Sequence, residues 1–93
     1  MRSLEDLGLS LDFIIPRHFI VYYCSRKLGS VDFKVDQLGR EFWINQRQLT
    51  MLQQVPGDDI NYETAQEAAI GLAQFLKVMD DDQMAKAALF RAP

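Results

Sequence analysis

Leu4, Leu7, Leu11, Ile14 and Ile15 sit at helical spacing, with Ser3 and Asp6 placed as a capping box. Leu9, Leu11, Phe13 and Ile15 also alternate with Ser10, Asp12 and Ile14, as in a strand that Pro16 ends. Gly8 weakens the helix, so the pattern predicts a short helical turn followed by a strand. His18 to Cys24 is aromatic and β-branched with apolar groups on both faces, which predicts a central strand. Ser25 to Ser30, containing Gly29, reads as a turn. Val31, Phe33 and Val35 then alternate with Asp32, Lys34 and Asp36 in the pattern of a strand with one wet face. Gln37-Leu38-Gly39 predicts a hairpin turn, and Arg40 to Ile44 the returning strand. On that strand Phe42 and Ile44 are expected to face inward, with Glu41 and Trp43 opposite.

Beyond this point the period lengthens. Asn45 as a cap, Gln48 three residues on, and Leu49, Leu52 and Val55 at spacing three predict a helix that Pro56-Gly57 stops. Ile60-Asn61-Tyr62 reads as a short edge strand. Thr64-Ala65-Gln66-Glu67 is a capping box opening a helix to Met79, with Ala68, Leu72, Phe75, Leu76 and Met79 on its apolar face. Ala69, Gly71 and Ala73 would let a neighbour approach closely. Asp80-Asp81-Asp82 disfavour the end of that helix and suit the start of another, predicted over Gln83 to Phe90. Strands followed by helices predict an α+β fold: an antiparallel meander of three or four strands, covered on one face by two or three helices.

Composition narrows the picture. Ninety-three residues allow one domain, 1–93, with one core, and 48% hydrophobic with 25% charged residues excludes a disordered chain. The net charge of −3 is uneven, +1 over residues 1–50 and −4 over residues 51–93. That balance speaks against nonspecific nucleic-acid binding. No apolar run is long enough to span a membrane, and two acids near the start leave no signal-peptide pattern, so a cytoplasmic protein is expected.

Catalytic chemistry finds little to work with. The one cysteine, Cys24, and the one histidine, His18, stand six residues apart on one predicted strand, roughly 20 Å, too far for a dyad. Cys24 is expected as a small buried hydrophobe and His18 as a partly exposed strand end. A zinc site needs more Cys and His than this chain has, and the three consecutive aspartates lack the spacing of a calcium loop. No glycine-rich phosphate loop is present, and Glu63 and Glu67 are explained by the start of a helix. The expectation is a protein that is not an enzyme and uses no cofactor or metal.

What remains is binding. From Arg17 to Arg47 six basic groups face three acids and interleave with aromatics. Tyr22, Arg26, Lys27, Arg40, Trp43 and Arg47 are the candidate partner contacts. The preferred reading is a small protein-binding module, of the format of a phage-type inhibitor or accessory regulator, acting by surface occlusion. Homodimerisation through the uncovered sheet face or an edge strand is expected with it. The competing reading is nucleic-acid binding, either by a basic and aromatic sheet face or by a helix-turn-helix of Asn45–Val55 and Thr64–Met79. The stretch Phe42-Trp43-Ile44-Asn45-Gln46-Arg47-Gln48-Leu49 resembles the strand-then-helix entry of some phage-encoded DNA-binding domains. Against it stand a nine-residue gap before the second helix and the phosphate-repelling Glu63 and Glu67 at that helix's start.

Overall fold

The computed structural model describes residues 4–91, and of residues 89–91 the backbone only. A 3-10 turn at Leu4–Leu7 leads into five strands: β1 (Leu9–Ile15), β2 (His18–Tyr23), β3 (Arg26–Val35), β4 (Glu41–Gln48) and β5 (Gln54–Pro56). Two helices follow, α1 (Ala65–Leu76) and α2 (Asp81–Arg91). The strands form one antiparallel sheet in the order β1-β2-β3-β4-β5, an unbroken meander. The α+β class therefore stands, with five strands rather than three or four. The predicted Ser3 cap lies outside the described residues.

Local chemistry explains the turns. Pro16 and Arg17 join β1 to β2, with Arg17 at φ 69, the geometry of a type II turn. Cys24 (φ 48) and Ser25 (φ 70) make the two-residue turn between β2 and β3, whose positive dihedrals match the twist of a hairpin. This turn corrects two expectations. Cys24 is exposed rather than buried, because the strand ends one residue before it. Gly29 lies inside β3, opposite Val21 and Arg47, at a point where a Cβ would stand 1.9 Å from the Gln46 carbonyl oxygen. Between β3 and β4 the Asp36 carboxylate accepts from the Leu38 and Arg40 amides, both at 2.9 Å, and holds the turn.

The predicted helix over Asn45–Val55 does not form. β4 runs on to Gln48, a loop closes where Thr50 and Gln53 exchange backbone hydrogen bonds, and β5 returns so that Val55 faces Arg47. Leu49, Met51 and Leu52 point to solvent, so their spacing marked no core face. Asn45 is no cap. It is buried in β4, and its Nδ2 donates to the Ala68 carbonyl of α1 at 3.0 Å, while its Oδ1 has no partner among the described residues. Register fixes the rest of β4: Asn45 lies opposite Val31 and Trp43 opposite Phe33, so Trp43 faces α1's side and Phe42 and Ile44 face away. That reverses the expected facing. A polar core residue had hidden the inward row.

α1 starts as its sequence dictates, with Thr64 Oγ1 accepting from the Glu67 amide at 3.1 Å. It ends at Lys77, whose left-handed backbone (φ 56) donates to the Ala73 and Gln74 carbonyls. Its buried residues are Ala65, Ala68, Ala69, Ile70, Gly71, Leu72 and Ala73, whereas Phe75, expected inside, is 43% exposed. The helix rests chiefly on β3 and β4. Tyr62, which forms an isolated bridge with Trp43, fills the notch at Gly71. α2 opens with a reciprocal cap between Asp80 and Gln83. Gln83 also accepts from the Tyr23 hydroxyl.

Ala is a better helix former than Gly by about 1 kcal/mol, yet Gly71→Ala is expected to destabilise the protein. Its Cβ would stand 2.0 Å from the Tyr62 hydroxyl oxygen. Denaturant unfolding should show a loss of about 1–3 kcal/mol.

Candidate functional site

The six candidate contacts do not gather on one surface. Arg26 and Lys27 are exposed at the β2–β3 end of β3. Arg40 lies beyond the other end, so the ten residues of β3 hold the two basic groups roughly 30 Å apart. Arg40 is also occupied, its Nε 2.7 Å from Asp36 Oδ2. Tyr22 stands on the helix-free face, where it lines a shallow, open depression with Ser10, Asp12 and Ser25. Trp43 is half-buried on the other face among Phe19 and Phe33, with ring centroids 5.9 and 5.5 Å away. Phe13 continues this row from β1, 5.9 Å from Phe19, and the Arg17 guanidinium lies 4.7 Å over Phe33.

The helix-free face is mainly polar. Ser30 is fully buried there and bonds Gln54, which also reaches Gln48. His18 at the start of β2 hydrogen-bonds Asp32 across the strand pair. Among the described residues, the aromatics that reach this face by register are Tyr22 and Phe42, separated by β3. A row of stacking rings with interleaved cations, as single-strand recognition uses, is not what this face carries.

Exposed apolar side chains lie elsewhere: Val35 and Leu38 flank the β3–β4 turn, Ile60 and Phe75 stand singly, and the rest form two groups of three. One is the tip of the β4–β5 hairpin, where Met51 is 94% and Leu52 99% exposed and Leu49 joins them. The other is the end of β1, with Phe13, Ile14 and Ile15 all more than half exposed. Arg47 links the hairpin stem to α1: its guanidinium lies 5.4 Å from the Phe75 ring centroid. Its Nε is buried with no hydrogen-bond partner among the described residues. The ring face and the buried stem therefore hold Arg47 beside the exposed Phe75, next to the apolar tip. Of the six candidates, Arg47 alone belongs to this surface. In the sequence the tip's leucines imitate helical spacing; the uncharged stretch from Gln48 to Gln54 is the signal that sets it apart.

Among the described residues no cluster of three or more His, Cys, Asp or Glu is arranged to hold a metal, and no helix is long and apolar enough to cross a membrane. Compared with protein-family models, curated proteins and solved structures, the chain finds no match.

The Asp36 carboxyl is held below its ordinary value of 3.8, first by the Arg40 amide. Burial opposes this, and the Arg40 guanidinium and the Leu38 amide reinforce it. The folded state thus binds this proton less well than the unfolded chain. The contribution to stability is present above the ordinary carboxylate pKa and is lost as pH falls through the lowered one. A carbon-13 titration should place the Asp36 midpoint below 3.8. Asp36→Asn should remove that step and speed exchange of the Arg40 amide.

Proposed function

We propose that this chain is a non-enzymatic protein-binding module whose docking surface is the β4–β5 hairpin tip together with the adjacent Phe75 and Arg47. Its format suits a phage-type inhibitor or accessory regulator that works by occluding a partner's surface. The observation that carries this reading is the near-complete exposure of Met51 and Leu52 on a hairpin with no charge between Gln48 and Gln54. Side chains of this kind gain about 1.5–3 kcal/mol each when fully withdrawn from water. Intramolecular packing leaves that gain unused here. An uncharged apolar knob on a two-stranded stem suits insertion into an apolar groove on a second protein.

The nucleic-acid reading has less support. Its basic groups lie at opposite ends of β3, and the segment proposed as the first helix of a helix-turn-helix is a β-hairpin.

The test is an affinity capture from extract of the native host, comparing the wild type with Met51→Asp/Leu52→Asp by quantitative mass spectrometry. A protein enriched by the wild type should fall at least tenfold with the double variant, and should persist with Arg26→Ala/Lys27→Ala. Both variants should unfold within about 0.5 kcal/mol of wild type, since the altered side chains touch little. Equal recovery by the tip variant contradicts the assignment. Saturable binding to single-stranded oligonucleotides that weakens steeply with salt, and is lost in Arg26→Ala/Lys27→Ala, would instead favour nucleic acid.

A further inference from the structure

Met51 and Leu52 hold the two central positions of the turn in which the Gln53 amide donates to the Thr50 carbonyl. Such positions favour glycine, proline, asparagine and aspartate, so the turn itself does not call for two large apolar side chains. Below them the ladder continues to Leu49, whose amide donates to the Gln53 carbonyl. Leu49 and Arg47, two residues apart, therefore project from the same side of the hairpin. Arg47 thus neighbours two exposed apolar side chains, Leu49 and the Phe75 of α1. Its charge is unmatched. The ion pairs among the described residues are His18–Asp32 and Arg40–Asp36, and the buried Arg47 Nε has no hydrogen-bond partner among them. The segments around it carry no carboxylate: none from Phe42 to Gly57, none from Cys24 to Val31 on the neighbouring strand, and none on α1 after Glu67, roughly 12 Å before Phe75. In a chain with 13 acidic residues and a net charge of −3, the docking surface is locally positive.

Resting on the docking surface proposed above, we infer that the partner is a protein whose apolar groove is edged by an aspartate or glutamate. That carboxylate pairs with Arg47 while the groove takes Met51 and Leu52. A guanidinium presents its donors in a planar fork, and a carboxylate occupies two of them at once. The Phe75 ring already holds the Arg47 head, so little side-chain freedom remains to be lost on pairing. A groove edged by a lysine or arginine would meet Arg47 with like charge, which makes the tip selective among apolar grooves. One cation in an uncharged apolar setting suits a single anion with apolar neighbours. A nucleic-acid backbone repeats its charge and gains affinity from several phosphate contacts together, which Arg47 by itself does not supply.

The probe is nuclease-treated extract of the native host, captured on the wild type, Met51→Asp/Leu52→Asp, Arg47→Gln, Arg47→Glu and Arg47→Lys. For the protein that the tip variant releases, Arg47→Gln should lower recovery about tenfold and Arg47→Glu to background, while Arg47→Lys should cost less than about threefold. Circular dichroism should show all of these variants folded. Treating the captured Arg47→Lys complex with a water-soluble carbodiimide adds a chemical readout. The reagent activates the partner's carboxyl, the lysine amine displaces it as a urea, and an amide forms with net loss of water. Mass spectrometry should map that join from position 47 to an Asp or Glu of the tip-dependent protein. A tip-dependent protein whose recovery ignores Arg47→Glu, or that gives no join at position 47, overturns the pairing and leaves the docking surface standing. If no captured protein depends on Met51 and Leu52, the docking surface fails and the pairing fails with it. Saturable, salt-sensitive binding of a single-stranded oligonucleotide that Arg47→Glu abolishes would assign the cation to nucleic acid and also overturn the pairing.

Discussion

The fold depends on how closely α1 approaches the sheet. Asn45, buried in β4, reaches the Ala68 carbonyl at 3.0 Å, and the helix presents Ala65, Ala68, Ala69, Gly71 and Ala73 to the interior. Small side chains on the helix and a short amide on the strand bring the two backbones near. Tyr62 closes the remaining notch at Gly71. A core set at this depth is filled by Ile70, Leu72, Val21, Val31, Leu7 and Leu9. Interiors pack to crystal-like density, so larger groups at the margin have no room inside. Phe75 on α1 and Leu49, Met51 and Leu52 beyond β4 stay outside it.

The sheet separates its surfaces cleanly. One face takes α1 and the row of Phe13, Phe19, Phe33 and Trp43. The opposite face is wetted and stitched by Ser30, Gln54, Gln48, His18 and Asp32. The most exposed apolar side chains stand at the margins of the sheet: the end of β1, the β3–β4 turn and the β4–β5 tip. This division favours contacts made by edges and tips over contacts made by a sheet face.

The sequence disclosed what short-range chemistry decides. Thr64 and Asp80 cap helices with their own side chains, Gly39 closes the β3–β4 turn at φ 80, and Gly8 ends the opening helical turn before β1. Contacts between distant segments were hidden. Asn45 looks like a helix cap locally and becomes a core residue only because α1, 23 positions later, supplies a carbonyl. Once Asn45 faces inward, Trp43 must as well, which reverses the reading of Phe42 and Ile44. Leu49, Leu52 and Val55 imitate helical spacing, yet the pairing of Arg47 with Val55 and Gln48 with Gln54 holds both ends of the segment extended. Of the candidate contacts, Arg47 lies against Phe75 of α1, a neighbour 28 positions away that its local sequence does not announce, whereas Arg26 and Lys27 are parted from Arg40 by the length of β3.

Close packing of α1 on β4 keeps the segment after Asn45 in an extended hairpin with its apolar tip in water. A soluble paramagnetic agent, read on methyl resonances, tests it directly. Strong broadening of the Met51 and Leu52 methyls is expected while those of Ile70 and Leu72 stay sharp. Protected Met51 and Leu52 methyls in the dilute monomer would mean that this segment folds back onto the core, and would contradict it.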